Sequence, residues 1–195
     1  MMIVGDEFPV TTLPAVMADG SINSSFEFVN KGGYTVVFFY PADFTFVCPT
    51  ELVAFDKAMD EFKALNCTVV GASVDSVHSH AAWRRTALND GGIGELNYPL
   101  LSDSTRELSD ELGILNNEGV TYRASYLLDK DGVIRHFVMN DMPLGRSVSE
   151  MLRMVDALAF YEEHGEVCPA NWKKGEKGMG ADRESTASYL AKQAA

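Results

Sequence analysis

The stretch Tyr34-Thr-Val-Val-Phe-Phe-Tyr40 decides the fold class, because its β-branched and aromatic residues form an uninterrupted apolar run. Lys31-Gly32-Gly33 precedes this run and Pro41 follows it, so chain-breaking residues bound it on both sides. Such a run is typical of a strand that is buried on both faces of a sheet. Residues 67–74 form a second apolar run and predict a second buried strand.

The segment between these two strands predicts an amphipathic helix over residues 50–65. Its apolar residues recur at helical spacing, and charged residues fill much of the other face; the apolar positions are Leu52, Phe55, Met59, Phe62 and Leu65. A strand, a helix and a strand in this order form a βαβ unit with a right-handed crossover, so the two strands should be parallel. The sequence therefore predicts an α/β protein.

The remainder of the chain predicts further helices, a hairpin and a tail. Asp129-Lys-Asp-Gly132 is a turn between two short apolar runs, residues 125–128 and 133–139, and predicts an antiparallel hairpin. Helical patterns cover residues 81–88, 104–112, 147–161 and 185–192. We predict one domain over residues 1–164 and a C-terminal arm over residues 165–195, because the composition changes beyond Cys168.

Composition and charge exclude several classes of protein. The chain has 195 residues, of which 46% are hydrophobic, which suits one globular core with a tail. With 28 acidic and 16 basic residues, the net charge of -12 repels phosphate backbones and anionic lipid, so we expect neither nucleic acid nor membrane as a partner. We expect neither a signal peptide nor a membrane span, because residues 1–10 carry no basic stretch followed by a long apolar one and the longest apolar runs are strand-sized.

Cysteine usage favours a reducing compartment and chemistry at a thiol. The three cysteines, Cys48, Cys67 and Cys168, form neither a CxxC motif nor a zinc-binding pattern. We therefore expect a cytoplasmic protein that holds no metal. Cys67 lies within an apolar run, where a small buried thiol is the default interpretation.

Cys48 lies where reactive groups gather in α/β folds, after a strand and at the start of a helix. Cys48-Pro-Thr-Glu51 has the spacing of a capping box, with a thiol in place of Ser or Thr. A buried inert thiol is the alternative interpretation. Thr45 offers a hydroxyl three residues before Cys48, and Pro41, which starts the same segment, could shield a thiolate from water.

Ionisation of a thiol is by itself a weak catalyst. Lowering a thiol pKa from about 8.5 to about 6 raises the ionised fraction at pH 7 roughly 30-fold. The same change lowers the intrinsic nucleophilicity roughly 13-fold, so the net gain is about twofold. A fast reaction therefore needs groups that stabilise charge on a leaving oxygen, such as a hydroxyl or a guanidinium.

Residues 38–51 resemble the active-site segment of the peroxiredoxins, with the PxxxTxxC pattern intact from Pro41 to Cys48. The resemblance continues through residues 71–76, 141–147 and 164–172, and it is to the typical two-cysteine type. It implies a thioredoxin-like fold with a central mixed sheet flanked by helices, and a C-terminal arm that carries the resolving cysteine.

The resemblance also implies a mechanism. Cys48 would be the peroxidatic cysteine, with Thr45 and Arg123 polarising the peroxide, and Glu51 and Arg146 would buttress Arg123. Cys168 of the partner subunit would resolve the sulfenic acid of Cys48 as a disulfide. The implied partners are hydrogen peroxide and organic hydroperoxides, and either thioredoxin or a flavoprotein disulfide reductase as electron donor. The implied assembly is a homodimer, with five dimers in a ring, and no cofactor is implied.

Three alternatives accompany this interpretation. A binding or holdase role would require exposed apolar surface and would survive replacement of Cys48. A disulfide reductase of the thioredoxin kind suits the fold, but the missing CxxC argues against it. The pair His78 and His80 could contribute to a metal site, although a solvated turn or helix start is the favoured interpretation because no third ligand is placed by spacing.

Overall fold

The computed structural model describes residues 1–9 and 11–193 and shows a seven-stranded mixed sheet flanked by helices. The strands are β1 (Thr12–Val16), β2 (Ile22–Glu27), β3 (Tyr34–Phe39), β4 (Cys67–Ser73), β5 (Leu100–Ser102), β6 (Arg123–Leu128) and β7 (Ile134–Asn140). The helices are α1 (Cys48–Lys57), α2 (Met59–Ala64), α3 (Val77–Arg85), α4 (Glu107–Leu112), α5 (Val148–His164) and α6 (Arg183–Gln193), with a 3-10 turn at Leu88–Asp90.

The sheet order is β2-β1-β5-β4-β3-β6-β7. β3 and β4 pair in parallel from Tyr34 opposite Cys67 to Phe39 opposite Ala72, as the predicted βαβ unit requires. β6 and β7 form the predicted antiparallel hairpin, and β6 also pairs antiparallel with β3. The predicted α/β class and mixed sheet are confirmed.

Three strands escape the sequence patterns for identifiable reasons. β1 contains Pro14, which lies where the register with β2 shifts between Leu13 and Ala15, and such a bulge is a position at which a strand accepts proline. β2 is largely exposed, and β5 has only three residues. Neither therefore produces a long apolar run.

All the predicted helices have somewhat different bounds in the structure, and two of the differences have an identifiable cause. The helix expected over residues 50–65 begins at Cys48 and is divided at Ala58, whose N–H bonds to the carbonyl of Phe55 in a tightened last turn. The helix expected over residues 81–88 begins at Val77, because the Ser76 hydroxyl caps it by accepting a hydrogen bond from the Ser79 N–H. The two histidines therefore lie inside α3.

Aromatic packing fixes α1 against β3. The ring of Phe38 stacks on that of Phe55 at a centroid distance of 4.1 Å, and Phe55 contacts Phe62 of α2 at 6.1 Å. Gly71 makes room for this stack, since a Cβ there would lie only 3.0 Å from Phe38 Cζ and 2.9 Å from Leu100 Cδ2. Full burial of each of these rings stabilises the fold by about 2–3 kcal/mol.

The chain forms two compact units, Met1–Val148 and Ser149–Ala195. The first contains the sheet and the apolar core of residues such as Val37, Phe39 and Tyr126. In the second, Trp172 packs on Phe160 of α5 at 4.9 Å, and Val167 pairs with Met179. The domain boundary after residue 164 stays a prediction.

Within residues 1–9 and 11–193, none of the helices is long and apolar enough to cross a membrane.

Candidate active site

The segment between β3 and α1 places Cys48 at the carboxyl end of the central parallel strands. Cys48 is the first residue of α1, and its side chain is fully buried. Pro49 follows it at the start of the helix, where its missing N–H costs nothing. The predicted position of the thiol, after a strand and at a helix start, is confirmed.

The expected capping box is wrong. Val47 occupies the cap position, and no side chain caps α1. The Cys48 sulfur is therefore inside the helix rather than at its cap. The Glu51 carboxylate turns away from the helix start, because two guanidinium groups from distant parts of the chain bind it.

The first of these guanidinium groups, that of Arg123, contacts the thiol directly. Arg123 begins β6, the neighbour of β3, and only 4% of it is exposed. Its Nη1 lies 3.3 Å from Cys48 Sγ and donates to Glu51 Oε2 at 2.7 Å. Its Nε donates to the Met142 carbonyl at 2.7 Å, which fixes the plane of the guanidinium.

The second guanidinium group, that of Arg146, holds Glu51 from the other side. Its Nε donates to Oε1 and its Nη2 to Oε2, both at 2.9 Å, in the bidentate geometry that makes such pairs strong. Its Nη1 donates to the carbonyls of Phe39 and Ala124 on two neighbouring strands. The buried cluster of Glu51, Arg123 and Arg146 therefore carries one net positive charge, which a thiolate at Cys48 would neutralise.

Thr45 and Pro41 lie in the segment that leads to Cys48. The Thr45 hydroxyl donates to the Ala42 carbonyl at 2.9 Å, so its lone pairs remain available to accept a hydrogen bond. Pro41 is buried at the beginning of the segment. The structure thus joins Cys48, Glu51, Arg123 and Arg146 in one hydrogen-bonded cluster and leaves Thr45 and Pro41 in the adjoining segment.

The other two thiols differ from Cys48. Cys67 lies in the core as predicted, and burial raises its pKa to about 12. Cys168 belongs to the second unit and is half-buried, with its sulfur 3.5 Å from the Ala157 carbonyl oxygen. Partial burial raises the pKa of Cys168, and the positive charge of Arg153 opposes this effect.

A buried polar network next to the site was missed by the sequence analysis. His80 is fully buried, not solvated as expected, because Asp43 from the active-site segment pairs with its Nδ1 at 2.9 Å. Tyr40 Oη donates to the same carboxylate at 2.9 Å. Tyr40 and Asp43 lie in the stretch that resembles the peroxiredoxin active-site segment, but no local pattern connects them with His80, which is 40 and 37 residues away.

A metal site at the two histidines finds no support in the structure. The part of the chain that the structure describes contains no group of three or more His, Cys, Asp or Glu side chains placed to hold a metal ion. His78 is exposed, whereas both ring nitrogens of His80 are occupied by protein oxygens.

The chain matches two known protein families and several known proteins. The AhpC/TSA family matches residues 4–137, and the C-terminal domain of 1-Cys peroxiredoxin matches residues 157–192. Alkyl hydroperoxide reductase C of Buchnera aphidicola from Acyrthosiphon pisum is 46% identical over 98% of this chain and 99% of its own. Peroxiredoxin-1 of Gallus gallus is 44% identical over 97% of this chain and 96% of its own.

A solved structure extends the agreement to the fold. The reduced 2-Cys peroxiredoxin of Plasmodium vivax matches with a TM-score of 0.93 and 42% identity, over 98% of this chain and all of that chain. Family, fold and the arginine-bound thiol therefore lead to one conclusion: the chain belongs to the AhpC/TSA family and is a peroxiredoxin, a thiol-dependent peroxidase of the two-cysteine type.

Proposed function

We propose that Cys48 is the peroxidatic residue and that it reduces hydrogen peroxide and organic hydroperoxides. The observation that carries this proposal is the 3.3 Å contact between Cys48 Sγ and the buried Arg123 guanidinium. A cation beside the sulfur favours the thiolate, and the same cation can stabilise the negative charge that develops on a peroxide oxygen. Cys67 and Cys168 have no such contact among the described hydrogen bonds.

The first half-reaction transfers one oxygen atom to sulfur. The Cys48 thiolate attacks the nearer oxygen of the peroxide, an S–O bond forms and the O–O bond breaks. The products are the sulfenic acid of Cys48 and an alkoxide or hydroxide, which takes up a proton to leave as alcohol or water. Arg123 stabilises the leaving oxygen, and the Thr45 lone pairs accept a hydrogen bond from the peroxide.

The neighbouring residues hold this arrangement. Glu51 binds Arg123 and Arg146 at once, so the guanidinium beside Cys48 has one orientation. Such preorganisation matters because a donor must already point at the position where charge develops. Pro41, buried at the start of the segment, shields the thiolate from water.

The second half-reaction uses Cys168 of the partner subunit in a homodimer. Its thiolate attacks the Cys48 sulfur, a disulfide forms and the sulfenic oxygen leaves as water after taking up a proton. A separate dithiol then reduces the disulfide, either thioredoxin or a flavoprotein disulfide reductase. Five such dimers would assemble into a ring.

The dithiol requirement supports a reducing compartment, for which we propose the cytoplasm.

Replacing each cysteine in turn tests the proposed roles. Stopped-flow loss of hydrogen peroxide is followed for the wild type, Cys48→Ser and Cys168→Ser, together with non-reducing gels. We expect Cys48→Ser to consume no peroxide, and Cys168→Ser to complete one turnover without forming the disulfide-linked dimer. Full activity of Cys48→Ser would overturn the peroxidase assignment, and normal cycling of Cys168→Ser would remove Cys168 from the resolving role.

A further inference from the structure

The closed position of Cys48 conflicts with the disulfide that the proposed function requires. Its side chain is fully buried, and the helix start and Arg123 surround it. Two sulfur atoms must approach to about 2.05 Å in a disulfide, with their β-carbons about 4 Å apart. Because no outside thiol can reach a buried sulfur, the part of the chain that encloses Cys48 must move during the second half-reaction. Contacts that hold the segment leading to Cys48, residues 41–47, in its closed position oppose this movement.

Asp43 is the polar anchor of this segment. Its side chain is 1% exposed, and both oxygens of its carboxylate are bound: Oδ1 accepts from Tyr40 Oη at 2.9 Å, and Oδ2 lies 2.9 Å from His80 Nδ1. Its backbone N–H donates to Asp75 Oδ2 at 2.9 Å, beyond the end of β4. The segment is thereby attached both to the sheet and to α3.

The hydrogen bonds of His80 require two protons at this site. Nε2 lies 3.0 Å from the Leu101 carbonyl oxygen, which can only accept, so Nε2 carries a hydrogen. Nδ1 faces the Asp43 carboxylate, so a second proton lies between these two groups. Whichever group carries it, this bond involves an ionisable pair in a site without solvent, where such a bond is strong.

The residue after Asp43 has a strained backbone. Phe44 has φ of 54°, in the left-handed region that a bulky residue seldom adopts. Its ring contacts Trp83 of α3 at 5.7 Å, so α3 holds both Asp43 and Phe44 through residues on one helix face. The strained backbone of Phe44, directly after Asp43, favours opening of the segment once the contact between Asp43 and His80 is lost.

From this arrangement we propose that His80 is a positioning residue, which keeps the peroxidatic segment closed through its bond to Asp43. The closed segment holds Cys48 beside Arg123, where it attacks peroxide, and the open segment exposes Cys48 to the resolving thiol. His80 therefore sets the balance between the two half-reactions without touching a reacting atom.

Two substitutions separate the two hydrogen bonds of His80. An asparagine amide can place its nitrogen near the position of Nδ1, so His80→Asn keeps a donor to Asp43 and loses the bond to Leu101. A glutamine amide can place its nitrogen near Nε2, so His80→Gln keeps the bond to Leu101 and loses the one to Asp43. The variants form a matched pair, because each retains one of the two bonds.

The accessibility of Cys48 gives a test that does not depend on resolution. In a Cys168→Ser background, the rate at which N-ethylmaleimide labels Cys48 is measured by intact mass. We expect His80→Gln to raise this rate about tenfold, since leaving a buried polar group without its hydrogen-bond partner costs about that factor, and His80→Asn to stay within about threefold of the parent. Equal rates in both variants, or no increase in His80→Gln, would refute the proposal.

In the chain with Cys168 present, the two half-reactions should respond in opposite directions. We expect His80→Gln to slow peroxide reduction by Cys48 several-fold and to accelerate disulfide formation. His80→Asn should restore both rates towards the wild-type values, which general destabilisation by replacing His80 does not predict. Parallel changes in both half-reactions of His80→Gln would contradict a positioning role. If the wild type forms no Cys48–Cys168 disulfide, the proposed resolving role fails, while the labelling result still decides the role of His80.

Discussion

Cys48 and Cys67 are two buried thiols at opposite ends of the parallel strands β3 and β4. Cys67 begins β4, where it pairs with Tyr34, whereas Cys48 follows the end of β3. Cys48 is fully buried and Cys67 is 4% exposed, so burial does not distinguish them. Their neighbours do: Arg123 contacts Cys48, and the apolar surroundings of Cys67 raise its pKa to about 12.

The comparison shows that the two buried thiols differ in the charge that the fold buries beside one of them, Cys48. Burial without a charge keeps the proton on sulfur, as at Cys67. At Cys48 the cost of burying two guanidinium groups is offset by the Glu51 carboxylate and by carbonyls at the ends of the strands. Both carbonyls lie at the edge of the sheet where β3 ends and β6 begins, which is where the thiol that we propose as peroxidatic lies.

The largest expected effect comes from making the surroundings of Cys48 resemble those of Cys67. Arg123→Met removes the guanidinium at the sulfur but keeps much of its volume, and Glu51 retains its bonds to Arg146. We expect the second-order rate constant of Cys48 with hydrogen peroxide to fall about 10²–10³-fold, the usual cost of losing one donor to a developing charge. Stopped-flow kinetics measure it.

Cys67→Ala is the matched control for this prediction. Because no charged group contacts Cys67 among the described interactions, we expect its removal to leave the rate constant within about twofold of the wild type. A loss of less than about threefold in Arg123→Met would contradict the comparison. So would an equal loss in the control.

Much of the Cys48 site could be predicted from the sequence, because the PxxxTxxC segment and its breakers are local in the chain. The strand, the helix and the βαβ unit followed from apolar spacing, and Arg123, Glu51 and Arg146 followed from the family resemblance. The bonds from Glu51 to Arg123 and Arg146 span 72 and 95 residues, so the local pattern at Glu51 indicated a capping box instead.

The parts that could not be predicted depend on contacts without a local signature. Asp43 and His80 are 37 residues apart, and the environment of the histidine is set by the packing of α3. The bulge at Pro14 makes β1 unrecognisable as a strand by propensity. The break at Ala58 has neither glycine nor proline to indicate it, since it arises from a tightened helical turn.

A second, smaller effect concerns stability at alkaline pH. The folded-state pKa of Cys67, about 12, is above the value of about 8.5 in the unfolded chain, so unfolding releases a proton once the pH exceeds the unfolded value. The contribution of Cys67 to stability is thus complete below about pH 8.5 and is lost progressively up to about pH 12.

Urea denaturation of the wild type and Cys67→Ala between pH 8 and pH 9.5 measures this contribution. We expect the free energy of unfolding of the wild type to fall by about 1 kcal/mol more than that of the variant over this range. The same pH dependence in both proteins would show that Cys67 ionises as readily in the folded state as in the unfolded chain.

The smallest effect extends the comparison to Cys168, where burial and a positive charge oppose each other. Burial raises the pKa of this thiol and Arg153 lowers it, while Arg153 also donates to the Trp172 carbonyl at 3.1 Å. Arg153→Gln removes the charge, so less of Cys168 is ionised at neutral pH, although the more basic thiolate is the better nucleophile. For one half-exposed charge, disulfide formation should therefore slow only about 1.5- to twofold. Because the thiol must lose its proton before it attacks, the rate should rise between pH 7 and pH 9, and the variant should need a higher pH to reach the wild-type rate. Rapid-quench gels of disulfide formation measure both quantities.

Arg153→Lys keeps the charge and should retain most of the rate. If it is instead as slow as Arg153→Gln, then the hydrogen bond to Trp172, and not the charge, sets the reactivity of Cys168.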